Sequence, residues 1–129
     1  MNVDRISSPD FPLPMGPYSQ ATRVGSWIFC AGQGGVDPAT GQLVAGGIRE
    51  QKRQTLCNLQ TILKAAGSDL AHVAMVNVLL HDWQYFDGMN EVFAEFFGEQ
   101  PPARSTIQGA RSPEGALVAM NAIAVTKTE

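Results

Sequence analysis

Apolar residues along this chain recur with two different periods, and the switches between them mark out the elements. Residues 1–17 follow neither period and are rich in Pro and Ser, so they are expected as an extended arm ending in the turn Pro14-Met15-Gly16-Pro17. Two β runs follow, 21–23 and 27–31, around Val24-Gly25-Ser26, which suits a tight hairpin. Trp27, Ile28, Phe29 and Cys30 form an unbroken apolar run, as in a strand covered on both faces, and Gly32-Gln33-Gly34-Gly35 breaks it. Asp37-Pro38-Ala39-Thr40-Gly41 carries turn chemistry, Asp before Pro and then Gly to supply positive φ. Leu43-Val44 gives a short strand that Gly46-Gly47 ends.

From 48 to 66 the spacing becomes helical. Ile48, Leu56, Leu59, Ile62, Leu63 and Ala66 share one face, leaving Arg49, Glu50, Lys52, Arg53 and Lys64 for the polar side, with Gly67 as the stop. A mostly apolar strand is expected over 73–80. A second helix is expected over 85–97, with Asp82 as N-cap and Phe86, Met89, Phe93, Phe96 and Phe97 on its apolar face. Gly98 and Pro101-Pro102 end it. Strands at 104–110 and 117–125 flank a Pro113-Glu114-Gly115 turn.

The order β-β-β-α-β-α-β-β is that of an α+β fold, a mixed β-sheet with two helices packed on one face. The first helix and its flanking strands read as a βαβ crossover. The other sheet face would be left bare and apolar unless a partner covered it, so an oligomer is expected, of a subunit number that periodicity does not fix.

The length of 129 residues suits a single domain over 1–129, and 44% apolar with 16% charged residues reads as globular. A formal net charge of −3, with nine scattered Lys and Arg, argues against a nucleic-acid partner. No run approaches the roughly 18 apolar residues of a membrane span. MNVDRISSPDFPLP carries Asp and three prolines where a signal peptide needs an apolar core, so a cytoplasmic location is expected. Cys30 and Cys57 read as two buried free thiols rather than a disulfide.

Nucleophile-elbow, phosphate-loop, HExxH and CxxC motifs are absent, and GQGG at 32–35 lacks the spacing of a dinucleotide loop. His72 and His81 are isolated and read as solvated or structurally hydrogen-bonded. Arg104 follows the stiff Pro101-Pro102-Ala103 at the start of a strand. It is either a fork for a planar carboxylate or the partner of a neighbouring acid. Tyr18, after the Gly16-Pro17 turn, either lends its hydroxyl to a site or lids the core. Asn90 is a poor mid-helix residue beside the apolar face, and either caps a local feature or donates into a cleft.

Taken together, GPYSQA (16–21), FCAGQ (29–33), DPATGQLV (37–44), NLQTIL (58–63), MNEVFAEFFGEQPPARST (89–106) and GALVAMNAIAV (115–125) resemble the Rid (YjgF-type) family of imine and enamine deaminases. The resemblance covers roughly residues 14 to 125, and PPARST after FFG, combined with GPYSQA, is its most specific part. It implies a chorismate-mutase-like homotrimer with an inner barrel of sheets, helices outside, and clefts between subunits. It also implies hydrolysis of 2-imino acids and their enamine tautomers, such as 2-aminoacrylate, to 2-keto acids and ammonia, with no cofactor and no metal. In that frame Arg104 grips the carboxylate, Tyr18 reaches in from the adjacent chain, the backbone at Ala31 and Gly32 bounds the substrate, and Asn90 and Thr106 lie nearby. The family pattern carries Glu before the final AIA, Ser before the Gly and Cys two residues after the Arg, where this chain has Asn121, Ala31 and Thr106. Asn121, in the catalytic position, can hold water but cannot move a proton near neutral pH. The alternative is therefore a non-catalytic trimer that binds a carboxylate metabolite or regulates a partner.

Overall fold

The structure is a computed structural model and describes residues 1–109, 112 and 114–127. Eight strands and two α-helices occur in chain order as β1 (Asp4–Ile6), β2 (Ala21–Val24), β3 (Trp27–Gln33), β4 (Val36–Asp37), β5 (Gln42–Leu43), α1 (Ile48–Ala65), β6 (Val73–Leu80), α2 (Phe86–Phe97), β7 (Ala103–Gln108) and β8 (Val118–Val125). Six strands form one sheet in the order β1-β2-β3-β8-β6-β7, antiparallel throughout except for the parallel pair β6–β7.

The predicted order holds, with two strands added. The arm is not merely extended: Asp4–Ile6 pairs with β2 as the edge strand β1. The turn at 37–41 closes a two-stranded hairpin of β4 and β5 that stands apart from the main sheet. For that reason the strand before α1 and the strand after it form no βαβ unit. The unit with adjacent parallel strands is β6–α2–β7. Gly32 does not end β3, which runs on to Gln33 through a register shift. The ends expected at Ala110 and Pro113 lie outside the described residues.

The β2–β3 turn is a two-residue loop, since Val24 pairs with Trp27, and Gly25 takes φ 59° as its first residue. That left-handed conformation costs glycine little. Asp82 caps the short 3-10 turn Trp83–Tyr85 rather than α2, its Oδ1 accepting from the Gln84 amide at 2.8 Å.

Both helices cover the same side of the sheet. Leu56, Leu59, Ile62 and Leu63 of α1 and Met89, Val92 and Phe93 of α2 bury against Ile28, Val76, Val78, Val118 and Met120. Ion pairs from Arg49 to Glu91 and from Arg53 to Glu95 join the helices on their exposed side. Cys30 is buried, and burial pushes its thiol up to about 12. Cys57 is exposed, contrary to expectation, because its place on α1 falls between the apolar ridges, among Arg53, Gln54 and Lys64.

Gly35 is the closest approach of the loop to α1. A Cβ there would stand 2.5 Å from the Gln51 carbonyl oxygen and 2.7 Å from its Cα. Neither atom can yield without moving the helix. Gly35→Ala is therefore expected to destabilise the fold by about 2 kcal/mol, the cost of overpacking a rigid site. Denaturant unfolding checks this, and an unchanged midpoint contradicts it.

Among the described residues no layer covers the opposite sheet face. Trp27, Phe29, Leu79 and Ile107 are exposed there; the first three alternate with buried neighbours along β3 and β6, and Ile107 follows the half-buried Thr106 on β7.

Candidate active site

Arg104 stands on β7, an edge strand that pairs only with β6. Its register partner is Val76, and that of Thr106 is Val78. Both valines are buried under the helices, so Arg104 and Thr106 lie on the helix side of the sheet. The guanidinium rests against α2. Its Cζ is 4.8 Å from the centre of the Phe93 ring and 5.8 Å from that of Phe86, and Nη1 is 3.9 Å from the Met89 sulfur. The ring faces hold the cation in place by cation–π attraction.

Among the described residues Arg104 makes no ion pair, so the bland reading, an Arg locked to a neighbouring acid, is not what these residues show. Burial lowers its pKa from the ordinary value, and the group stays charged. Beside it opens a hollow of about 320 Å³ lined by Asn90, Phe93, Phe97 and Pro102. Among the described residues the buried side-chain oxygen of Asn90 has no hydrogen-bond partner, and Asn90 lines the same hollow as Arg104.

A second cation lies close by. Lys52 of α1 is completely buried. Its Nζ is 3.2 Å from the Met120 sulfur and 5.3 Å from the centre of the Phe93 ring, so Phe93 serves both charges. Lys52 was expected on the polar side of the helix. The structure corrects this, and the spacing explains why: Lys52 precedes Leu56 by four residues and Leu59 by seven, which puts it on the apolar stripe. Burial first, and the charge of Arg104 second, push its pKa down to about 7.

Tyr18, Ala31 and Gly32 come together elsewhere, around a hollow of about 380 Å³ that also reaches Phe11 and Gln33. The Tyr18 hydroxyl accepts from the Met15 amide at 3.1 Å, which leaves its own hydrogen free to donate. Gln20 anchors this region and was not singled out in the sequence. It is buried, its Oε1 accepts from the Ser8 amide at 2.6 Å, and its Nε2 donates to the Pro12 carbonyl at 3.2 Å. A glutamine directly after the turn motif was the available signal. Gly32 has no positive φ, and a Cβ there would meet nothing within 4 Å, so nothing among the described residues demands a glycine.

Asn121 lies between the buried Met120 and Ala122, and so faces the bare side of the sheet. Its Oδ1 accepts from Asn77 Nδ2 at 2.9 Å. With Gly32 it lines a third hollow, of about 300 Å³. One chain thus groups Arg104 with Asn90, Tyr18 with Ala31 and Gly32, and Gly32 with Asn121. It does not bring Arg104 to Tyr18, and it sets Arg104 and Asn121 on opposite sides of the sheet.

Residues 9–126 match the family described as endoribonuclease L-PSP. A RutC family protein of Pyrococcus horikoshii is 47% identical over 119 residues, spanning 92% of this chain and 94% of its own. The 2-iminobutanoate/2-iminopropanoate deaminase of Bos taurus is 46% identical over 120 residues, 93% of this chain and 88% of its own. The crystal structure of Escherichia coli TdcF with bound serine shares the fold at a TM-score of 0.91 and 35% identity, covering 96% of this chain and 99% of that one. With sequence and architecture matched over nearly its whole length, the chain belongs to the Rid (YjgF, endoribonuclease L-PSP) family and has that family's chorismate-mutase-like α+β fold.

Proposed function

We propose that this protein hydrolyses reactive 2-imino acids and their enamine tautomers, of the 2-aminoacrylate type, to 2-keto acids and ammonia, at sites completed between the subunits of a homotrimer. The observation that carries the proposal is Arg104: a guanidinium seated on two aromatic rings, free of any acid among the described residues, opening to a hollow with an unpaired acceptor beside it. Relatives named 2-iminobutanoate/2-iminopropanoate deaminase, and serine held by TdcF, support a small amino-acid-like ligand.

The division of the site supports the subunit arrangement. Arg104, Thr106 and Asn90 form one half, at the free edge of the sheet. Tyr18, Ala31 and Gly32 form the other, and the neighbouring copy supplies it. The bare face bearing Trp27, Phe29, Leu79 and Ile107 is the surface that trimer formation covers, which makes the inner barrel. Gly32, where no described residue demands a glycine, then makes room for the substrate and the partner.

In this site Arg104 donates two N–H groups to the carboxylate oxygens and fixes the adjoining C=N carbon. Asn90 Oδ1 accepts an N–H of the imine. Tyr18 donates its free hydrogen toward the reacting nitrogen. Water adds to the carbon, its two protons pass to the nitrogen by way of the Tyr18 hydroxyl and solvent, the C–N bond breaks, nitrogen leaves as ammonia, and the carbon keeps the oxygen as a keto group. Asn121 comes with Gly32 from the neighbouring copy; held by Asn77, it serves to position water and not to carry its proton. The imine hydrolyses unaided, so positioning and modest acid–base help are the contributions required.

The acid balance of the chain, −3 with no basic run, gives a ribonuclease reading no support. The test generates the imine in place with an amino-acid oxidase and follows keto-acid release. Added protein is expected to speed that release at saturating oxidase. Equal rates with and without it, across several side chains, would contradict the proposal and favour a trimer that only binds such metabolites.

A further inference from the structure

Lys52 is used by nothing described so far. A fully buried lysine is uncommon, and buried ammonium groups are ordinarily paired. This one makes no ion pair among the described residues. Its side-chain polar contact is a thioether, and the charge acting on it is another cation, Arg104, which sits over the same Phe93 ring that lines the Arg104 hollow. We infer that Lys52 is a second, proton-switched cation of the Arg104 site, so that docking of a carboxylate on Arg104 is coupled to uptake of a proton by the Lys52 amine. The inference rests on the reading of Arg104 as the carboxylate grip and adds a regulation to it.

The physical basis is the charge count around one ring. With the hollow empty, burial opposes a charge on Lys52 and Arg104 opposes it further, so near neutral pH the amine is divided between its two forms. A carboxylate bound to Arg104 cancels that repulsion and attracts the ammonium. The bound state therefore holds the proton to higher pH than the free state. Below pH 6 Lys52 is charged in both states and pH has no effect through this group. Above 7, binding takes up a proton and affinity falls as pH rises, until the amine is neutral in the complex as well.

Among the described residues no other group on the elements packed against α1 reproduces this pattern: His72 is paired with Asp69, and Asp37 accepts from the Ala39 amide. On α1 and α2, Arg49, Glu50, Arg53, Glu91 and Glu95 are exposed and paired with one another. Met120 of β8 and Val76 and Val78 of β6 carry no charge, and β7 contributes Arg104 itself. The Cys30 thiol on β3, pushed up to about 12, stays neutral across the range.

The test is calorimetry of 2-oxobutanoate binding, a ligand whose own carboxyl does not titrate near neutrality. At pH 8 it is run in two buffers of different ionisation heat, with dissociation constants measured from pH 6 to 9. The wild-type protein is expected to take up a substantial fraction of a proton per site at pH 8 and to bind about tenfold more weakly at pH 9 than at pH 6, the effect of a one-unit rise of pKa on binding. Lys52→Met is expected to take up none, and to bind at every pH as weakly as wild type does at pH 9. Arg104-dependent binding by wild type with no proton uptake and a flat pH profile would overturn the switch and leave the carboxylate grip standing, as would a slope unchanged in Lys52→Met. No binding at pH 6, or binding indifferent to Arg104→Ala, would overturn both.

Discussion

Replacing Arg104 by alanine is expected to lower kcat/KM for 2-iminobutanoate about 10²- to 10³-fold and to leave the fold intact. The magnitude follows from what is removed. A bidentate, partly desolvated guanidinium–carboxylate contact that also orients the reacting carbon is worth about 3 to 4 kcal/mol when one partner is truncated, and 1.4 kcal/mol is tenfold in rate. The fold survives because Arg104 is an edge-strand side chain with no ion pair among the described residues, so its loss strands no buried acid. Arg104→Lys separates charge from geometry. It keeps a cation yet lacks the two-pronged fork, and is expected to recover a minor part of the activity. Steady-state rates of keto-acid formation at limiting imine decide it. A variant within twofold of wild type would place the carboxylate elsewhere.

Lys52→Met is expected to stabilise the protein, and to do so most at low pH. The lysine is fully buried, and its pKa, lowered from 10.5 to about 7, means that the native state disfavours the charged form. Between those two values the unfolded chain holds a proton that the folded chain does not, so stability rises with pH across the window. Below about 7 both states hold it and the full penalty is present. Methionine, of similar length and apolar, fits beside Met120 and Phe93 without a charge to bury. The gain over wild type is expected to be about 4 kcal/mol larger at pH 6 than at pH 10. Denaturant unfolding of both proteins at the two pH values, at one fixed concentration, measures it. Parallel stabilities would mean that Lys52 is not held in the low-dielectric site described.

The two cations show how far the sequence could be read. Arg104 was legible because rigid prolines and a family motif surround it. Lys52 was misplaced because residue type was allowed to outweigh spacing: the three- and four-residue ladder through Leu56 and Leu59 already put position 52 inside, and it put Cys57 outside. The helix faces and most strand cores were plain from period alone. The three-residue β1 and two-residue β4 were not, since segments that short show no alternation to detect. The insertion of β8 between β3 and β6, which sets Arg104 and Asn121 on opposite faces, is a long-range pairing with no local trace. Alternation can say that Asn121 and Met120 face opposite ways, but only the register says which of them meets the helices. The placement of Arg104 with Asn90, away from Asn121 and Gly32, follows from that register.

The most direct test of an intersubunit site is complementation between two inactive variants. Arg104→Ala disables one half and Gly32→Leu fills the other, where an added Cβ meets nothing within 4 Å among the described residues. Each is expected to be inactive alone. Refolded together at equal ratio, random trimers place one intact Arg104 half against one intact Gly32 half in every mixed assembly, so about one quarter of wild-type activity is expected to return. If the mixture stays as inactive as its parents while forming mixed trimers, the site lies within a single chain and the account is wrong.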